Sequence, residues 1–132
     1  MTPEQNAYVK TLTTREEIFD YVEARLKEQR CQSLSPDGHN AGECAYRGEE
    51  GLMCAVGCLI GDDEYTSGME GRLVEDLTED TLPDRLRPHV SMLQALQIFH
   101  DDAGNWSSHK GLSSRGIDGL RHLRQVWLTD SN

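Results

Sequence analysis

Apolar residues recur every three or four positions in three stretches of the chain, and each stretch predicts an amphipathic helix. The first starts at Thr14, which forms a capping-box pattern with Glu17 three residues on. It runs from about Arg15 to Gln29, with Ile18, Val22 and Leu26 along one stripe and Phe19 beside them. The second carries Pro88 in its first turn and buries Met92, Leu93, Leu96 and Phe99, ending at His100 or Asp101 before Gly104. The third is capped by Ser113 or Ser114 and turns Ile117, Leu120, Leu123 and Trp127 inward. Arg115, Arg121 and Arg124 make it the one locally basic element.

Between these helices the pattern changes. Residues 32–43 are small or polar, and Pro36-Asp37-Gly38 predicts a turn in an exposed loop. Cys44 to Arg47 reads as a short strand, and Gly48-Glu49-Glu50-Gly51 as a tight reversal, which together predict a small hairpin. Leu52 to Ile60 is the most apolar run. It is read as a strand entering a short helix around Cys54, and it belongs in the core in either conformation. A short helix near Gly71 to Leu77 takes Leu73, Val74 and Leu77 as its apolar side, and Leu82-Pro83 ends that element. The resulting expectation is an α+β fold: three main helices packed around a small β-hairpin in one domain spanning 1–132, with 1–12 a candidate flexible N-terminal segment. Ile18, Val22, Leu26, Val56, Leu59, Leu93, Leu96, Phe99, Leu120 and Trp127 should form most of the core.

Charge adds a constraint. Asp and Glu number 23 against 13 Lys and Arg, a formal net charge of −10 over 132 residues. Phosphate backbones and anionic membranes are themselves polyanions, so direct nucleic-acid binding and membrane association are not expected, and a basic protein partner is more natural. No apolar run approaches a membrane span and the first residues lack the blocks of a signal peptide, so a cytoplasmic location is expected. In that compartment Cys31, Cys44, Cys54 and Cys58 would persist as thiols or metal ligands rather than disulfides.

Several groups could carry chemistry. On a helix Cys54 and Cys58 share a face, and Cys44 could join them in a zinc site with Cys31 or His39 as fourth ligand; the competing reading is that they are small buried residues. Cys44 has Arg47 nearby but no evident base, so no catalytic residue is assigned and a non-enzymatic role is preferred. His100-Asp101-Asp102 is read as a helix C-terminus, a histidine at the negative end of the dipole followed by solvated aspartates. Tyr46, Arg47, Gly48 and Gly51 could hold a small anion if the amides near Cys54 open a helix. The carboxylates crowd between Asp62 and Asp84, and Asp62, Asp63, Glu64, Glu70, Glu75, Asp76, Glu79 and Asp80 form a candidate surface for a basic partner.

The run Cys44-Ala-Tyr46-Arg47-Gly48-Glu-Glu-Gly51-Leu-Met-Cys54-Ala55-Val-Gly57-Cys-Leu59-Ile60, followed by Asp63, Tyr65 and Met69-Glu70-Gly71, resembles a family of small uncharacterised bacteriophage and bacterial proteins. A weaker echo lies at Leu93, Gln94, His100 and Asp101. The resemblance implies a shared fold and carries no established activity. A phage origin would favour a binding protein acting in a bacterial host cell. The expected function is therefore a non-enzymatic acidic interaction protein, an inhibitor of a host nucleic-acid-processing or defence complex of the anti-CRISPR kind. The alternative is a small-ligand or zinc-binding domain centred on Cys44, Arg47, Cys54 and Cys58.

Overall fold

The fold is described from a computed structural model, for residues 1–34, 45–78, 80–107 and 110–128. Among these residues four α-helices run in the order α1 (Pro3–Val9), α2 (Arg15–Glu28), α3 (Val90–Asp101) and α4 (Ser114–Leu128). Short 3₁₀ turns fill the interval between α2 and α3, and strands β1 (Trp106–Ser107) and β2 (Gly111–Leu112) lie between α3 and α4. The α+β class expected from the sequence holds at this level.

Both N-terminal helices begin with the same local chemistry. The Thr14 hydroxyl accepts from the Glu17 amide while the Glu17 carboxylate accepts from the Thr14 amide, and Thr2 and Gln5 reproduce this box one helix earlier. Residues 1–12, read from the sequence as a candidate flexible segment, therefore contain α1, and Val9 and Leu12 are buried. The α2 stripe of Ile18, Val22 and Leu26 is fully buried, as are Leu93 and Leu96 of α3 and Leu120 of α4. Helix α4 packs on both α2 and α3, and α2 also packs on the 3₁₀ turn within the run 54–60, in which every residue is buried. Trp127 only packs partly against this core, and Ile117 faces solvent rather than inward.

The hairpin is not where the sequence placed it. Ala45 to Arg47 are not strand, and Cys44 lies outside the described residues. The antiparallel pair is instead β1 with β2, Trp106 opposite Leu112 and Ser107 opposite Gly111. The physical reason is that the amides of Tyr46 and Arg47 donate to one carboxylate, that of Glu70, instead of to a neighbouring strand (3.0 Å each). The reversal after them does form: the Gly48 amide donates to the Leu52 carbonyl at 2.8 Å, and Glu50 and Gly51 take positive φ. Leu52 to Ile60 likewise contains no strand; it ends in a 3₁₀ turn at Gly57–Leu59.

Candidate functional site

Arg47 is the centre of the segment that the sequence singles out. One guanidinium nitrogen, Nη1, donates to the Gly57 carbonyl at 2.6 Å. The other, Nη2, donates to the Ile60 carbonyl at 2.7 Å and to Asp62 Oδ1 at 3.1 Å. The guanidinium also lies over the Tyr65 ring, 4.9 Å from its centroid. Tyr65 in turn donates its hydroxyl to Glu70 Oε2 at 2.6 Å, and burial together with that carboxylate raises the phenol to about 12. Glu70 closes the circuit on the Tyr46 and Arg47 amides, and the Tyr46 hydroxyl donates to the Arg72 carbonyl at 2.8 Å. Gly57 permits this approach, because a Cβ there would stand 2.2 Å from the Tyr46 carbonyl oxygen.

This arrangement is a side-chain knot that replaces a β-ladder. The expected anion pocket of Tyr46, Arg47, Gly48 and Gly51 falls on the same segment. Tyr46 is buried, Arg47 spends its donors on backbone carbonyls and Asp62, and no α-helix starts near Cys54 to aim free amides at a ligand. Gly51 is the member of that set that lines an open groove.

Cys54 and Cys58 do come near one another, joined by the Cys58 amide and the Cys54 carbonyl at 3.2 Å. Cys54 Sγ accepts from the Gly57 amide, and Cys58 donates its thiol to the Ala55 carbonyl. Burial pushes the Cys54 thiol up to about 12 and raises Cys58 as well, which favours the protonated form of both. Cys44 and His39 lie outside the described residues, and Cys31 is half-buried. Among the described residues no three His, Cys, Asp or Glu side chains cluster so as to hold a metal ion.

His100 lies in the last turn of α3, as the sequence reading has it, and makes buried contacts beyond that reading. It is fully buried, its Nε2 accepts from the Ser33 amide at 3.1 Å, and its Nδ1 meets Asp101 Oδ1 at 3.0 Å. Because an amide can only donate, Nε2 must be the unprotonated nitrogen and Nδ1 carries the hydrogen. The side chain ties the exit of α2 to α3.

The acidic stretch divides into members with partners in the fold and members with no ion pair among the described residues. Asp62 accepts from Asn6 and Arg47, and these bonds hold its carboxyl below the usual carboxylate range. Asp63 pairs with Lys10 at 2.6 Å, Glu64 with Arg85 at 2.7 Å, and Asp80 with Arg72 at 3.4 Å. Burial opposes ionisation of Glu64, but the Arg85 guanidinium and the Gly61 amide outweigh it and lower the carboxyl. Glu70 belongs to the knot, and Glu79 lies outside the described residues. Glu75 and Asp76 have no ion pair among the described residues, and beside them Leu73 is 59% exposed instead of facing the core. Val74 and Leu77 are the buried residues of that turn, and sequence spacing could not decide which apolar side chains it would turn inward.

No protein-family model, curated protein or solved structure matches the chain. Among the described residues no helix is long and apolar enough to cross a membrane.

Proposed function

We propose that the protein is a non-enzymatic interaction module whose working surface is the turn Leu73–Asp76 with Asp80 at its edge. The observation that carries this reading is Leu73, a large apolar side chain 59% exposed beside Glu75 and Asp76, two carboxylates with no ion pair among the described residues, while Asp80 at the edge is held by Arg72. Interfaces take specificity from a desolvated apolar anchor and approach rate from the surrounding charge, and this turn offers both. The partner is a protein with a basic groove around an apolar pocket. Such grooves are common on proteins that handle nucleic acid, which is consistent with an inhibitor of a host nucleic-acid-processing or defence complex. The chemistry-bearing residues of the motif support the same reading from the other side, since Arg47, Glu70 and Tyr65 are engaged in holding the fold.

The test is affinity capture from a bacterial host extract at physiological salt, comparing the parent chain with a Leu73→Asp, Glu75→Lys, Asp76→Lys variant of unchanged circular dichroism. A protein retained by the parent and lost from the variant is expected. Retention of the same proteins by both chains sinks the assignment.

A further inference from the structure

On the opposite side of the Gly48–Gly51 reversal lies a groove of about 500 Å³ between α1, the C-terminal half of α2 and the turn at 50–53. That volume falls within the range of small-molecule sites, roughly 300–1,000 Å³. Its floor is apolar, formed by Leu52, Met53 and the buried Cys58, while Arg25 and Arg30 stand on one wall. Gln29 stiffens that wall: its carbonyl oxygen accepts from the Met53 amide at 3.0 Å and its amide nitrogen donates to the Cys31 carbonyl at 3.1 Å. The rim is shaped by Glu50 and Gly51, both at positive φ (57° and 79°). A left-handed glutamate is a strained choice, and strain of this kind is retained where the surroundings enforce it.

The two guanidinium groups are only loosely committed. Arg25 pairs with Glu28 and Arg30 with Glu50, each at 2.8 Å, but the carboxylates are 65% and 73% exposed. Such pairs contribute little and exchange readily with another carboxylate. Arg25 also lies over the Tyr21 ring, 5.3 Å from its centroid, which fixes the plane of its guanidinium beside the groove. A planar guanidinium fork beside an apolar floor suits a carboxylate carried on an apolar body.

We propose that this groove binds a small amphipathic carboxylate, its head on Arg25 and Arg30 and its apolar body along Leu52, Met53 and Cys58. The site is separate from the Leu73 surface and stands or falls independently of it. Octanoate is the probe, titrated into the ¹⁵N-labelled full chain with octanol and acetate in parallel. Saturable shifts are expected at the amides of Gln29, Arg30 and Gly51 to Met53, with a Kd of about 0.1–1 mM. Octanol and acetate should each bind about tenfold more weakly or worse, and Arg25→Gln should weaken octanoate about tenfold. Arg30→Gln, on a more exposed side chain, repeats the test should Arg25→Gln fail to fold. The Leu73 triple variant should bind octanoate unchanged. Absence of saturation up to about 10 mM, octanol binding as tightly as octanoate, or folded arginine variants with parental affinity would each overturn the proposal.

Discussion

Replacing Arg47 with alanine separates a structural knot from a ligand site more cleanly than any other change. The side chain is 18% exposed and donates to the carbonyls of Gly57, which also accepts from the Ile60 amide, and of Ile60. A hydrogen bond from a charged donor contributes about 1.5–3 kcal/mol, and a buried carbonyl left bare costs about 1–3 kcal/mol. These describe the same contacts and are not summed. Including the lost stacking on Tyr65, the expected destabilisation is about 3–5 kcal/mol. For a chain of this size that corresponds to a fall in Tm of roughly 10–20 °C. Arg47→Lys keeps the charge but cannot fork between both carbonyls, so it should lose about half as much. The assay is urea unfolding followed by circular dichroism, with the m-value checked for constancy. An Arg47→Ala protein within about 1 kcal/mol of the parent would refute the reasoning, because exposed residues tolerate change at that level and knotted ones do not.

Three further outcomes follow from the same contacts. Gly57→Ala drives a methyl into the Tyr46 carbonyl and should cost about 2–3 kcal/mol in the same urea assay; a neutral effect would mean the close approach is not needed. Glu64 has its carboxyl lowered in the fold, so its contribution is complete above the unfolded value near about 4.3 and disappears as pH falls through the folded value. The stability gap between the parent and Glu64→Gln should therefore be widest at neutral pH and narrow as pH falls through the lowered folded value, and a gap that stays constant through acid pH would contradict the assignment. Native alkylation with iodoacetamide, read by peptide mass spectrometry, should label Cys31 well before Cys54 and Cys58, which should react only in urea; equal rates would show that the two buried thiols are accessible.

The helices were legible because their signals are local. A capping box and a three-to-four stripe lie within a few residues of the atoms they govern, as at Thr14 and Glu17 with Ile18, Val22 and Leu26. Thr2, Pro3 and Gln5 announce α1 by the same rule and could have been read that way. The misplaced hairpin had no local remedy. Whether Tyr46 and Arg47 pair with a strand depends on Glu70, more than twenty residues downstream, and side chain-to-backbone bonds of that range leave no periodicity. The acidic stretch was legible as charge but not as a surface. Lys10, Arg47 and Arg85, which neutralise Asp63, Asp62 and Glu64, come from three separate parts of the chain. The bond from Ser33 to His100 was illegible for the same reason, since the two are far apart in sequence and adjacent only in the fold.

The motif and the acidic stretch, separate features in the sequence, are one device in the structure. Asp62 and Glu70 lie on either side of the 3₁₀ turn at Ser67–Met69, and both bind the Tyr46-Arg47 segment, one through a guanidinium and the other through two amides. The knot thereby fixes where the chain leaves Glu70, and the Tyr46 hydroxyl holds it again at the Arg72 carbonyl, one residue before Leu73. An apolar anchor on a flexible tether would lose much of its binding energy in being ordered; one preceded by a double clamp loses less. Loosening the clamp without unfolding the chain should therefore weaken partner capture even though Leu73, Glu75 and Asp76 are untouched. Tyr46→Phe is the mildest such change, removing one hydroxyl and leaving one carbonyl short of a donor. If capture under Tyr46→Phe equals that of the parent, the clamp serves stability alone and the turn is positioned by Val74 and Leu77 in the core.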